Sequence, residues 1–177
     1  MAHAESLLPQ VPSAQRGKIA KFLEAQSMPD LALSVATDPD HRFDLAVQLG
    51  QFDVALDIAR HGPASGAEMR WRTIGDQALA HWDVALAQEC FKHANDVHSL
   101  FLVATAQQDE ALLRHVAEAA RAKGELNLAV AALVQLQDTR GVVDVLMQAQ
   151  RLPEAALFAR TYAPHLVPET VRAWKAV

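Results

Sequence analysis

A chain of 177 residues, half of them apolar, with 16 basic and 21 acidic side chains and a formal charge of −5, can bury roughly 70% of its unfolded surface as one domain. That charge gives no general attraction to phosphate backbones or acidic membranes, so no nucleic-acid partner is expected. Cys90 is the one cysteine, which excludes an intrachain disulfide and fits a reducing, intracellular compartment.

No apolar run nears the ~20 residues that cross a bilayer, and Met1 to Pro12 lacks the basic start and long apolar stretch of a signal peptide. Pro9 and Pro12 make residues 1–12 an extended lead-in, and 13–177 reads as a single α-helical domain. Ser13 is placed as the N-cap of a first helix that turns Ile19, Phe22 and Leu23 inward. Pro29 suits the first turn of a short second helix with Leu31, Ala32 and Val35 on one side, because its missing N–H has no intrahelical partner there.

Asp38 before Pro39 predicts another start, followed by Phe43, Ala46, Val47 and Gly50 at i, i+3, i+4, i+7, with Gly50 ending the helix. Phe52, Ala55, Ile58 and Ala59 mark the next helix, which stops near Gly62-Pro63. A longer one follows Ser65 with Trp71, Ile74 and Ala78 inward, and another follows Asp83 with Ala87, Cys90, Phe91 and Ala94 inward. Asp96, Asp109, Gly124, Asp138 and Pro153 punctuate helices at 96–107, 109–123, 126–137, 139–150 and 153–163, and Pro168 opens a last one. No alternating strand pattern competes. The expectation is an all-α chain of roughly twelve helices with about three-quarters of its residues helical and loops of about 2–8 residues.

Phrases recur along these segments. Asp53-Val54-Ala55-Leu56 returns thirty positions later as Asp83-Val84-Ala85-Leu86, each behind an aromatic, Phe52 or Trp82. A looser version is Leu126-Asn127-Leu128-Ala129, and Gln26 to Leu33 is echoed by Gln150 to Leu157. One helix hairpin cannot bury its apolar stripe alone, so such units stack on their neighbours as an α-solenoid of antiparallel hairpins.

Candidate chemistry is sparse. Asp38, Asp40, His41 and Asp44 could be metal ligands, but acids at a helix start more simply cap it and favour the positive end of its dipole. His93 and His98 lack zinc-spaced companions. A nucleophilic Cys90 would need a base such as His81, His93 or His98, yet it lies on an apolar stripe where burial makes a thiol inert. The glycines are scattered singly and form no phosphate loop, and no hydrolase elbow or metalloprotease motif occurs. No cofactor and no catalytic residue is therefore assigned. In Arg70-Trp71-Arg72, Trp71 reads as core and the arginines as a solvated face.

The C-terminal stretch differs in charge. Residues 1–150 carry twelve basic and nineteen acidic side chains and 151–177 carry four and two, giving −7 and +2. Arg160, Tyr162, Arg172 and Trp174 combine guanidinium groups and amphipathic rings there, the types enriched where interface energy concentrates. Tyr162 also continues an inward stripe through Ala155, Phe158 and Ala159, so Arg172 and Trp174 carry more of that assignment.

Several phrases together resemble the helical region of the coatomer β′ subunits, components of the COPI vesicle coat: Leu7-Leu8-Pro9, Ala36 through Ala46, Gln48-Leu49-Gly50, Leu86 through Cys90, Leu102 through Ala106, Arg151 through Ala156, and Ala159-Arg160-Thr161-Tyr162. They span nearly the whole chain in family order, and the wording departs from the family in 51–70 and 107–123. The resemblance implies a solenoid behind two WD-repeat propellers that recognise dilysine cargo tails, none of which is in this sequence. It further implies retrograde Golgi-to-ER transport, a cytosolic place on Golgi membranes and COPI vesicles with membrane association through the assembled coat, and a solenoid partner in the coatomer α subunit. Two rivals stand beside this reading. A tetratricopeptide-like peptide-binding adaptor would repeat near 34 residues, against which the uneven alanines 55, 85, 111, 129 and 155 count. A hydrolase built from Asp38, Asp40 and His41 is the weaker rival.

Overall fold

The computed structural model describes residues 12–176, so the phrase Leu7-Leu8-Pro9 and the extended lead-in up to Val11 lie outside the described residues. Among the described residues there are twelve α-helices and no strand, 80% of the residues are helical, and the architecture is an all-α solenoid of stacked antiparallel hairpins. In chain order the helices are α1 Ser13–Ala25, α2 Pro29–Val35, α3 Pro39–Gln48, α4 Phe52–His61, α5 Ala67–Ala80 and α6 Val84–His93. They continue as α7 Val97–Gln107, α8 Glu110–Lys123, α9 Leu126–Gln135, α10 Thr139–Gln148, α11 Leu152–Tyr162 and α12 Val167–Lys175, with a 3-10 turn at Pro164–Leu166.

The chain forms two compact units, Met1–Asn95 and Asp96–Val177. Within the first, α1 to α6 pack in succession, and α3 also reaches α5. Within the second, α7 to α12 do the same, and α7 reaches α9. Contacts between alternate helices are what stacking one hairpin on the next requires.

Eight of the eleven connections between these helices share one backbone device. Ser27, Gly50, Trp82, Asn95, Gln108, Gly124, Gln137 and Gln150 all have positive φ, between 51° and 76°. At Gly50 the N–H donates to Val47 O (3.1 Å) and the next N–H, of Gln51, to Ala46 O (2.8 Å). This closes the helix with its last carbonyls satisfied. The same pair of bonds recurs at Ser27, Trp82, Gln108, Gly124, Gln137 and Gln150. The following helix then begins at once, and in four cases an aspartate caps it: Asp83, Asp96, Asp109 and Asp138 accept from the N–H groups of Leu86, Ser99, Leu112 and Gly141 at 2.8–3.1 Å.

These turns set the register of the core. The residue five positions beyond each left-handed residue is buried: Ala32, Ala55, Ala87, Leu100, Leu113, Ala129, Val142 and Ala155. The thirty-residue echo in the sequence therefore slips by two positions. Gly50 matches Trp82 and Ala55 matches Ala87, whereas Ala85 and Ala111 are exposed. The echo of Gln26 with Gln150 slips by one, since Ser27 matches Gln150.

Four further expectations are corrected. Pro12, not Ser13, occupies the N-cap of α1, and Phe22 is 62% exposed while Ala20 faces the core. Asp38 sits at the N-cap of α3 but its side chain makes no capping bond. Arg70 is buried, not solvated, and donates to Pro63 O (2.8 Å), Ser65 O (3.1 Å) and Asp40 Oδ1 (2.8 Å). It thereby fastens the loop between α4 and α5 to the start of α3. Gly75 in α5 has no role readable from sequence, yet a Cβ there would sit 2.6 Å from the Phe91 ring. Its bare backbone is what lets α6 approach.

Candidate partner interface

The acidic group at the start of α3 does not converge. Asp40 bonds Arg70 (2.8 Å), His41 Nε2 lies 2.9 Å from Glu24 Oε2 on α1, and Asp38 and Asp44 are exposed. Among the described residues no three histidine, cysteine or acidic side chains are grouped to hold a metal. Cys90 is fully buried, as its stripe with Ala87 and Phe91 predicts, and burial, reinforced by Glu89, pushes its thiol up to about 11. At neutral pH it is protonated and unreactive. Trp71 is likewise core and stacks on His93, with ring centroids 4.4 Å apart.

The C-terminal assignment falls on α11 and α12. Arg160 and Arg172 are exposed, Trp174 is half exposed, and Tyr162 is 64% exposed. The stripe of α11 is thus inward only as far as Ala155 and Ala159, both fully buried. Its continuation leaves the core at Tyr162, whose ring tilts against Phe158 at 4.8 Å. A small core of Val143, Ala159, Ala163 and Leu166 holds α11 against α10 and the 3-10 turn. On α12, Thr170 is fully buried and donates back to Val167 O (3.0 Å).

Charge in this stretch is sharper than its sum. Arg151 Nε donates to Glu154 Oε1 (2.8 Å), and these bonds hold the Glu154 carboxyl below its ordinary range. Arg140 of α10 grips both oxygens of Glu169 (2.9 and 3.1 Å) and also meets Asp144. Both carboxylates of 151–177 are matched in this way. Among the described residues Arg160, Arg172 and Lys175 have no ion-pair partner, so α11 and α12 keep three uncompensated cations and two exposed rings on their outer surfaces.

Sequence reasoning missed the neighbouring groove. Val130, Leu133 and Val134 of α9, Val142 of α10, and Phe158 and Tyr162 of α11 line an open apolar hollow of about 620 Å³. Its signal was α9 itself, Leu126–Gln135, which is apolar on nearly all sides with only Asn127 and Gln135 polar, more than one buried stripe needs.

Comparison with known proteins adds the lineage. A family model described as COPA/B TPR domain matches residues 1–175. The chain is 39% identical over 172 residues to coatomer subunit beta' of Drosophila melanogaster, covering 97% of this chain and 18% of that protein. It is 37% identical to coatomer subunit beta' of Rattus norvegicus and 38% identical to coatomer subunit beta'-2 of Oryza sativa subsp. japonica, in each case over 97% of this chain and 19% of the relative. The chain therefore spans less than a fifth of the length of the curated relatives it matches.

Proposed function

Because the chain belongs to the COPA/B TPR domain family and is a coatomer β′-type segment, we propose that it is a scaffold piece of the COPI coat, acting in retrograde Golgi-to-ER transport by holding other coatomer subunits at fixed geometry. Its work is shape and burial, without catalysis. The partner is the solenoid of the coatomer α subunit, and Arg160, Tyr162, Arg172 and Trp174 form the contact. The place of action is the cytosolic side of Golgi membranes and COPI vesicles, reached through the assembled coat. No helix among the described residues is long and apolar enough to cross a membrane.

The observation that carries this reading is the outer surface of α11 and α12. Its two acids are consumed internally, while exposed guanidinium groups and rings remain for a partner. Exposed aromatic and arginine side chains that become fully desolvated are the usual anchors of an interface.

The test is affinity for an α-subunit solenoid, measured for the wild-type chain and for Trp174→Ala combined with Arg172→Glu. The double variant should keep its helical circular dichroism and lose about 30-fold or more in affinity, the effect of removing two anchors. Unchanged affinity with an intact fold overturns the site, and absence of wild-type binding at tens of micromolar overturns the partner. The groove between α9 and α11 favours a second reading, a tetratricopeptide-like peptide-binding adaptor. Under that reading, substitution of Val134 and Phe158 abolishes binding while the Trp174 and Arg172 changes have no effect.

A further inference from the structure

Trp82 is the most exposed large apolar side chain among the described residues, at 87%, and it stands at φ 62° in the turn between α5 and α6. A left-handed backbone costs a non-glycine residue roughly 1–2 kcal/mol, and a bulky residue there is an outlier. Burial does not explain an indole at this place, and the equivalent turn positions hold either glycine (50 and 124) or small and polar residues (Ser27, Asn95, Gln108, Gln137 and Gln150).

The surroundings say what the indole faces. His81, its neighbour, meets Phe52 edge to face at 5.7 Å, so the α5–α6 turn lies beside the α3–α4 turn and the two form one aromatic edge. The two turns contribute carboxylates only from Asp53, in 48–54, and Asp83, in 79–86, with no lysine or arginine; farther along α4 and α6, Asp57 pairs with His61 (3.0 Å) and Glu89 with Arg60 (3.5 Å). Asp53 directly follows Phe52, and Asp83 directly follows Trp82 while capping α6. An exposed indole face attracts a cation, and two carboxylates on the turns that carry it disfavour anionic competitors.

We propose that Trp82, with Phe52 and His81 behind it and the carboxylates of Asp53 and Asp83 on its two turns, is a docking site for a lysine- or arginine-bearing segment of a partner protein. The site belongs to the first unit, and its charge is opposite in sign to that of α11 and α12. Its occupant carries the positive charge that those two helices supply themselves.

A fluorescently labelled lysine-rich peptide tests this, compared with the same peptide fully acetylated on its lysines, which keeps the length and removes the charge. Wild-type chain should bind the first and not the second. Trp82→Gly removes the indole while suiting the left-handed turn, so the fold is kept, and binding should weaken about tenfold. Trp82→Tyr should restore most of it, and Asp53→Asn should weaken binding about twofold and flatten its salt dependence. Equal binding of both peptides, or wild-type affinity in Trp82→Gly, overturns the proposal. So does self-association of the chain that Trp82→Gly abolishes in the absence of peptide binding, which would make a second copy the occupant.

Discussion

From Asp96 to Gln150 every connection repeats one form, in which Gln108, Gly124, Gln137 and Gln150 turn the chain left-handed and Asp96, Asp109 and Asp138 cap helices that follow a turn. Before Asn95 two connections differ, while Ser27, Gly50 and Trp82 keep the common form. Ala36 to Asp38 joins α2 to α3 without a left-handed residue or a capping side-chain bond, and the loop from Gly62 to Gly66 is held by the buried guanidinium of Arg70, which reaches across to Asp40 on α3. Where turns are uniform, the bonds that define them span five residues or fewer. Where a loop departs from that form, a bond spanning thirty residues replaces them. The second unit should therefore respond to local changes in small, independent steps, and the first should depend heavily on one side chain.

The largest effect is expected for Arg70→Ala in the first unit. It leaves two backbone carbonyls and a carboxylate without their donor, at a cost of about 3 kcal/mol. Asp40→Asn should cost well under 1 kcal/mol, because the Asp40 side chain is 71% exposed and water screens the pair. Urea denaturation of both variants measures the ratio, and equal losses would place the weight on the ion pair instead of on the loop carbonyls. Next comes Gly75→Ala, which drives a methyl group into the Phe91 ring and should cost about 2 kcal/mol by overpacking. Stability unchanged would mean that α6 is free to move away from α5.

In the second unit Asp138→Ala removes one cap and should cost about 1 kcal/mol. Amide exchange should quicken at the start of α10 and leave α7 unchanged. The smallest effect has the opposite sign. Gln137→Gly relieves a left-handed glutamine and should stabilise by about 0.5 kcal/mol, the strain relieved being partly offset by the freer unfolded chain. A loss of stability there would show that the Gln137 side chain, and not its backbone, holds the turn.

This contrast also explains what was legible in the sequence. Helix starts at Pro29, Pro39, Asp96, Asp109 and Asp138 and the stop at Gly50 are local signals, and the structure follows them closely. The buried stripe of Ala87, Cys90 and Phe91 was readable for the same reason, since spacing along one helix fixes its face. Left-handed residues that are not glycine carry no such signal: Gln108, Gln137 and Gln150 look like any exposed helix residue, which is why the helices expected at 126–137 and 139–150 end two residues earlier. The repeat was consequently aligned on the phrase Asp-Val-Ala-Leu and not on the turn. Arg70 was misread because its acceptors, two loop carbonyls and Asp40, are distant in sequence or belong to the backbone. At the candidate interface, the excess of positive charge was visible in composition. The pairing of Arg140 with Glu169, which leaves Arg160, Arg172 and Lys175 uncompensated, needed the packing of α10 against its neighbours.

The scaffold reading is tested most directly by backbone hydrogen exchange of the chain, alone and mixed with the solenoid of a coatomer α subunit. Added protection should concentrate in Leu152–Tyr162 and Val167–Lys175, because these two helices carry Arg160, Tyr162, Arg172 and Trp174. Saturating partner with no added protection in these two helices, or protection confined to the helices before Asn95, would contradict it.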